Sequence, residues 1–341
     1  MKTLLVDMSP VFYSNLFSAT SFMIRNGSTP VQIDEYSCPK LPFEYQDVII
    51  FKIIEEISTL KHKFKVDEVV LAFDNSKGGY WRKDYWSGYK FSRKKSRDDS
   101  NIMWDKAFKL FDTIKEQLKL NTTYKTVDIQ RVEGDDIIFV LSEHLSNKGN
   151  DVVILSLDHD LQYCLRHPGV QYFRTQKTQK KAGYYVDITL EDIDELEQEH
   201  IIGGDKGDYI KNIKAYSKFS KEFKEIYPNK KEIDTWDKRH EIDVLFEKKY
   251  NQSAYTHPRY GYKMFKKSKM KLSELLSQNP IYTKNYHINK KIALPEGIPE
   301  DIKYNIIEQY NSSCTRRNNK ELQTFFNDYK LFDLCSSIPL L

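Results

Sequence analysis

Nine carboxylates stand singly or in tight groups where short apolar runs of this 341-residue chain end. Asp7 follows Leu4-Leu5-Val6, and Asp74 follows Val69-Val70-Leu71-Ala72-Phe73. Glu133, Asp135 and Asp136 share Val-Glu-Gly-Asp-Asp, Asp158 and Asp160 close the run Val152 to Leu157, and Asp205 and Asp208 lie in Gly-Gly-Asp-Lys-Gly-Asp. In an open α/β sheet, functional groups gather beyond the carboxyl ends of the strands. So many acids at one place repel one another and cannot all stay ionised without cations. An all-oxygen set with no paired His or Cys suits hard ions, Mg²⁺ or Mn²⁺. The chemistry expected of such a set is metal-assisted cleavage of a phosphodiester. A single Asp after a strand is more often a helix N-cap or a turn former. Recurrence at five successive strand-end or loop positions is what argues for a metal site. A calcium loop of the EF-hand type is excluded, because its spacing and terminal Glu are missing.

Directly after Asp74, aromatic residues interleave with cations. From residue 77 to 97 there are eight basic residues against one acid, Asp84. Trp81, Tyr85 and Tyr89 recur at four-residue intervals, which predicts one face of a helix. Cations can neutralise phosphates while aromatic faces stack on unpaired bases. The same pattern also fits an amphipathic helix whose aromatics pack on a core. The position of the segment, straight after a candidate metal ligand, favours substrate contact. Tyr80, Trp81, Arg82, Lys83, Tyr89, Lys90, Arg93 and Lys94 are the candidate nucleic-acid contacts here, with Lys206 from the glycine-rich loop. That loop could cradle a phosphate but lacks the Gly-Lys-Ser/Thr ending of a P-loop. The histidines show no zinc spacing, and no Gly-x-Ser-x-Gly elbow supports a serine nucleophile.

The elements that must position these residues alternate. Leu4–Val6 and Val66–Phe73 are uninterrupted apolar runs of strand length, as in a parallel sheet covered on both faces. Residues 26–42 read as a long Pro/Gly-containing loop. Helical spacing follows over Phe43–His62 and Met103–Leu120. Next come a strand near Tyr124–Ile129, a helix over Asp135–Lys148, a strand at Val152–Leu157 and a short strand at Tyr184–Ile188. Thr189 is a plausible cap for a further helix. Alternation of this kind predicts βαβ units and an α/β fold with a parallel sheet. Beyond about residue 200 strand-like runs vanish. Helical periodicity appears in Asp243–Tyr250, Tyr260–Leu276 and Ile302–Tyr310, which predicts a smaller, mostly helical region.

Composition narrows the class. Hydrophobic residues make up 40% and charged residues 30% of the chain, which fits a globular protein rather than a disordered one. The net charge of +4 is too small to diagnose nucleic-acid binding by itself. Four dispersed cysteines, Cys38, Cys164, Cys314 and Cys335, suit neither a zinc motif nor a disulfide scaffold and imply a reducing, cytosolic compartment. There is no apolar run long enough for a membrane span and no pattern of a signal peptide, so no membrane role is expected.

With these motifs in order, the chain resembles the 5′-nuclease (flap endonuclease) superfamily, and within it the bacteriophage ribonucleases H. The resemblance rests on Leu-Leu-Val-Asp7, Phe-Asp74-Asn-Ser-Lys-Gly-Gly-Tyr-Trp-Arg-Lys-Asp, Val-Glu133-Gly-Asp135-Asp136, Ser156-Leu-Asp158-His-Asp160 and Gly204-Asp205-Lys-Gly-Asp208. Gly-Ile-Pro-Glu-Asp-Ile and Tyr310-Asn-Ser extend it toward the end of the chain. It implies a PIN-like parallel-sheet nuclease core over 1–200 with a helical arch at about 77–100. A helical region over 201–341 would carry a helix–three-turn–helix element that grips duplex DNA. It also implies two Mg²⁺ ions, replaceable by Mn²⁺. Asp7, Asp74, Glu133 and Asp135 would serve mainly the first. Asp158, Asp160, Asp205 and Asp208 would serve mainly the second, with Asp136 acting through water. Lys90 and Arg93 match arch residues that act on the scissile phosphate, and Tyr89 could stack on a base.

The implied activity is 5′-to-3′ cleavage of RNA–DNA hybrid, duplex DNA, forks and flaps, by a monomer that removes RNA primers in a phage-infected cell. A single-stranded-DNA-binding protein and a sliding clamp are the implied partners. A PIN-type ribonuclease and a non-cleaving nucleic-acid-binding scaffold are the alternatives. One departure stands out. Tyr209 and Asn212 occupy positions where the family usually has Asn and often Gly, which marks the turn after Asp208 as altered.

Overall fold

The structure, a computed structural model, describes residues 1–32, 38–43, 45–86, 88–90, 92–175, 183–205, 207–213, 258–313, 318–335 and 341. The helix expected over Asp243–Tyr250, and the residues Lys206 and Cys314, lie outside the described residues. In chain order the elements begin with β1 (Lys2–Asp7), α1 (Met8–Arg25), α2 (Gln46–Phe64), β2 (Glu68–Ala72), α3 (Ser92–Asp98) and α4 (Trp104–Asn121). They continue with β3 (Lys125–Val127), α5 (Gly134–Asn147), β4 (Asp151–Leu155), β5 (Val170–Arg174), β6 (Tyr184–Tyr185) and α6 (Leu190–Gln198). After these come α7 (Pro258–Ser268), α8 (Leu272–Ser277), α9 (Pro280–Ala293), α10 (Glu300–Ser312) and α11 (Asn319–Asp328).

The chain divides into two units. Residues 1–76, 94–187 and 300–341 make the first, and residues 77–93 with 188–299 make the second. Where the sequence suggested a single crossing near residue 200, the chain leaves the first unit after Asp187 and returns to it at Glu300. The return has a clear physical cause. Leu322, Phe325 and Phe326 of α11 are buried in the same apolar cluster as Leu4, Val6 and Leu71. In addition, the Tyr310 hydroxyl of α10 donates to Glu68 at 2.7 Å.

In the first unit the sheet order is β3-β2-β1-β4-β5-β6. All pairings are parallel except the last, β5 with β6. Leu4, Leu5 and Val6 are buried on both faces of the sheet, as an uninterrupted apolar run in a covered parallel sheet should be. α2 ends at Lys65 in the left-handed region (φ 51°), closing the helix so that the chain can enter β2.

The second unit is helical. Thr189 caps α6 by accepting from the Asp192 amide, and Asp192 reciprocates on the Thr189 amide, so the expected cap is present. The periodicity of 260–276 belongs to two helices, α7 and α8, with a break at Lys269 (φ 54°) and Met270. Ile202, Ile213, Tyr262 and Leu275 form an apolar cluster of this unit. No helix among the described residues is long and apolar enough to cross a membrane. The three described cysteines are free.

Candidate functional site

β1 lies between β2 and β4, and the strand order reverses across the β1–β4 pair. The registers Asp7↔Ala72 and Val6↔Leu155 bring the carboxyl ends of all three strands level. This is the place where an open α/β sheet opens a crevice. Asp7 occupies the N-cap position of α1 but makes no side-chain cap bond. Its buried carboxylate instead accepts from the Ser156 hydroxyl at 2.7 Å, across the reversal point. The simple capping role for Asp7 is thereby set aside. Asp74 accepts from the Ser9 hydroxyl at 2.5 Å and from the Gly134 amide at 2.6 Å. The glycine leaves room for this approach. A β-carbon at Gly134 would lie 3.2 Å from Asp7 Oδ1 and 3.5 Å from Asp74 Oδ1, so the two carboxylates converge on one backbone position.

The Val-Glu-Gly-Asp-Asp motif starts α5. Glu133 and Asp136 form a reciprocal capping box, and both are buried. The local role that a lone acid usually has therefore applies to these two. The positive end of the helix dipole favours both charges. Asp135, in the same first turn, remains partly exposed. Asp158 and Asp160 follow β4 in a tight turn. The Asp160 amide donates to Asp158 Oδ1 at 2.9 Å, and the Asp158 amide donates to Ser156 Oγ at 3.0 Å. The Tyr172 hydroxyl donates to the Asp158 carbonyl, and Arg174 donates to the Leu157 carbonyl at 2.6 Å. Burial pushes the Tyr172 phenol up, so it stays a donor.

Among the described residues, no three His, Cys, Asp or Glu side chains are grouped closely enough to hold an ion. A hydroxyl donates to Asp7, and a hydroxyl and an amide donate to Asp74, which orients the two carboxylates. The donor chemistry still fits a hard cation, since Asp7 and Asp74 present oxygen atoms around one glycine.

In the second unit, the loop after residues 199–203 carries Asp205 and Asp208. Asp205 and Ile210 exchange backbone hydrogen bonds at 2.9 and 2.7 Å, and Asp205 Oδ1 accepts from the Gly207 amide at 2.7 Å. Gly204 has φ +73°, and a β-carbon there would meet the Ile210 carbonyl at 2.3 Å, so no other residue fits. Asp208 Oδ2 accepts from the Tyr89 hydroxyl at 2.7 Å and lies 3.6 Å from Lys90 Nζ, while Oδ1 accepts from Arg93 at 2.8 Å. Burial pushes the Asp208 carboxyl up, but Lys90 and Arg93, helped by Tyr89, overcome it and hold it below the usual carboxylate range.

Comparison with known proteins now bears on these groups. Residues 43–193 match the family model of the 5′-3′ exonuclease N-terminal, resolvase-like domain. A curated relative, the ribonuclease H of Enterobacteria phage T4, is 32% identical over 152 residues, covering 45% of this chain and 48% of the phage protein. The chain thus spans about half the length of that relative. Among solved structures, the T5 5′-exonuclease with divalent metal ions (zinc) bound has a TM-score of 0.53 at 13% identity, covering 92% of this chain and 99% of the T5 chain. The fold resembles that of the T5 5′-exonuclease.

The segment expected to form a helical arch differs in detail from that expectation. Trp81–Asp84 is one turn of 3₁₀-helix, and Tyr85, Trp86 and residues 88–90 are turns or irregular chain, so Trp81, Tyr85 and Tyr89 do not share a helical face. At Gly88 the chain packs closely on the Trp86 ring, where a β-carbon would fall 2.8 Å from the indole, so glycine suits this position. Trp81 and Tyr89 are 3% and 2% exposed, and Arg82 is buried with its Nε on the Ile292 carbonyl at 2.8 Å. As folded, these three are structural, and a base cannot stack on either ring. Tyr80 and Lys90 are partly exposed, and Lys83, Arg93 and Lys94 are exposed.

Sequence reasoning missed Ser9, Ser156, Trp86 and Asn289. Their types are unremarkable, and only the fold brings them to the acids or to the loop that carries them. Tyr209 adopts φ +61°, the left-handed conformation in which Asn is favoured and a bulky side chain is uncommon.

Proposed function

We propose that the chain is a metal-dependent 5′-to-3′ nuclease that hydrolyses phosphodiesters in RNA–DNA hybrids, duplex DNA and 5′ flaps. The observation that carries this reading is the convergence of Asp7 and Asp74 on Gly134, at the strand reversal of a 5′-nuclease fold. The T4 relative's name supports ribonuclease H activity, and the metal-bound T5 neighbour supports divalent ions. Asp7, Asp74 and Asp135 would hold one ion, with Asp158 and Asp160 toward a second. Asp205 stays in the proposed ligand set, whereas Glu133 and Asp136 act mainly by fixing the first turn of α5. When bound, Mg²⁺ or Mn²⁺ would activate water and stabilise the attacking and leaving oxygens. Ser9 and Ser156 orient the carboxylates by donating to them. Lys90 and Arg93 would offset charge on the phosphate. Primer removal during phage replication, with a single-stranded-DNA-binding protein and a sliding clamp as partners, completes the reading.

The test is product mapping from a 5′-labelled flap, an RNA–DNA hybrid and single-stranded RNA, with Mg²⁺ and with chelator. Products released from the 5′ side of the first two, lost on chelation, are expected. Preference for single-stranded RNA would turn the reading to a PIN-type ribonuclease, and no cleavage at all would leave only a binding scaffold.

A further inference from the structure

Asp208 was expected to serve a metal, yet the groups around it point elsewhere. Three side chains of one short segment reach its carboxylate: Tyr89, Lys90 and Arg93. Its backbone carbonyl accepts from the Lys90 amide at 3.0 Å. Lys90 itself has φ +56°, a conformation that a non-glycine residue keeps only when its surroundings hold it there. Its ammonium also sits 5.5 Å and 5.3 Å from the ring centroids of Tyr80 and Tyr89.

The loop that presents Asp208 is pinned in turn. The buried Asn289 amide of α9 donates to the Ile201 carbonyl at 2.8 Å and to the Lys211 carbonyl at 2.6 Å, tying both ends of the loop with one side chain. Trp86 Nε1 donates to the Tyr209 carbonyl at 2.8 Å. A carboxylate fixed in this way, with both oxygens taken by donors from one segment, serves to hold that segment.

We propose that Asp208 is a positioning residue that latches Tyr89, Lys90 and Arg93 in place before substrate arrives, on a loop fixed by Asn289 and Trp86. Asp208 offsets part of the positive charge of Lys90, Arg93 and the nearby Arg82, and the cluster keeps a net positive charge of the sign that attracts a phosphodiester. The latch sets Lys90 and Arg93 without leaving two uncompensated cations crowded together. A substrate phosphate would then compete with the carboxylate for cations that are already ordered. The significance for catalysis rests on the nuclease reading above, but the latch does not.

The test is hydrogen exchange on the full chain in chelator, so that no metal can contribute. Asp208→Asn should speed exchange in peptides covering residues 85–97 by roughly tenfold or more, while peptides of α5 keep their protection and report an intact fold. Tyr89→Phe, which preserves the packed ring, should speed the same peptides by a few-fold. Unchanged protection of 85–97 in both variants would overturn the latch. A second measurement is single-turnover flap cleavage by Asp208→Asn across a Mg²⁺ titration. Slow cleavage that saturating metal does not restore is expected. Full recovery at high metal would make Asp208 an ion ligand and overturn the positioning role. If the wild type cuts nothing, the nuclease reading fails, and the exchange result still decides the latch.

Discussion

Asp74 in the first unit and Asp208 in the second each accept on both carboxylate oxygens, yet their donors differ in kind. Asp74 is held by a serine hydroxyl and a backbone amide, both neutral. Asp208 is held by an ammonium, a guanidinium and a phenol. Neutral donors fix an orientation and leave the negative charge in place, so the carboxylate can still attract a cation. Charged donors cancel it, and the pair becomes a structural joint whose strength depends on how well each partner is held. Two residues of one type, both flagged by their spacing as metal ligands, are therefore suited to opposite tasks.

The largest effect that sharpens this contrast is expected at Asp135. Asp135→Asn should keep duplex binding and lose cleavage in Mg²⁺ by about 10³-fold or more, as chelation should in the wild type. Near wild-type turnover in a single-turnover assay would break the assignment of the first-unit acids to metal. Next comes Lys90→Ala, expected to slow cleavage by about 10²-fold while weakening duplex binding far less. Equal losses in rate and binding would reduce Lys90 to an anchor for the phosphate backbone.

Asn289→Ala should cost about 1–3 kcal/mol in denaturant unfolding, because two buried carbonyls lose their donor. Exchange protection should fall in the second unit and hold in the first. A uniform loss across both units would contradict the local pinning of the Asp208 loop. The smallest effect is expected from the exposed Lys83. Lys83→Ala should weaken DNA binding evenly across sequences and reduce the salt slope by about one. A change in cleavage rate at saturating substrate would instead give Lys83 a share in the chemistry.

Much of the first unit was legible because its signals are local. β1, β2 and β4 are continuous apolar runs, and a run of that kind has few alternatives to a covered parallel strand. The starts of α5 and α6 were legible because caps are written in a few adjacent residues. α1 escaped notice because Ser, Thr and Asn interrupt its apolar face, and β5 because the exposed Gln171 and the polar Arg174 break Val170–Arg174 as an apolar run. The four-residue recurrence of Trp81, Tyr85 and Tyr89 misled for another reason. Spacing cannot register that only one 3₁₀ turn forms over Trp81–Asp84 and that Gly88 packs on the Trp86 ring.

By itself, the sequence determined the nine acids, their order, the basic segment after Asp74 and the sheet that carries the first seven of them. Those are properties of residue type and short-range pattern. Only the tertiary structure decided what each acid does. Asp7 and Asp74 turn toward Gly134, Glu133 and Asp136 close a helix end, and Asp208 binds cations more than a hundred residues away in sequence. A carboxylate's role follows from the charge and reach of its donors. Those donors come from elements that the chain brings together only when its apolar faces are buried.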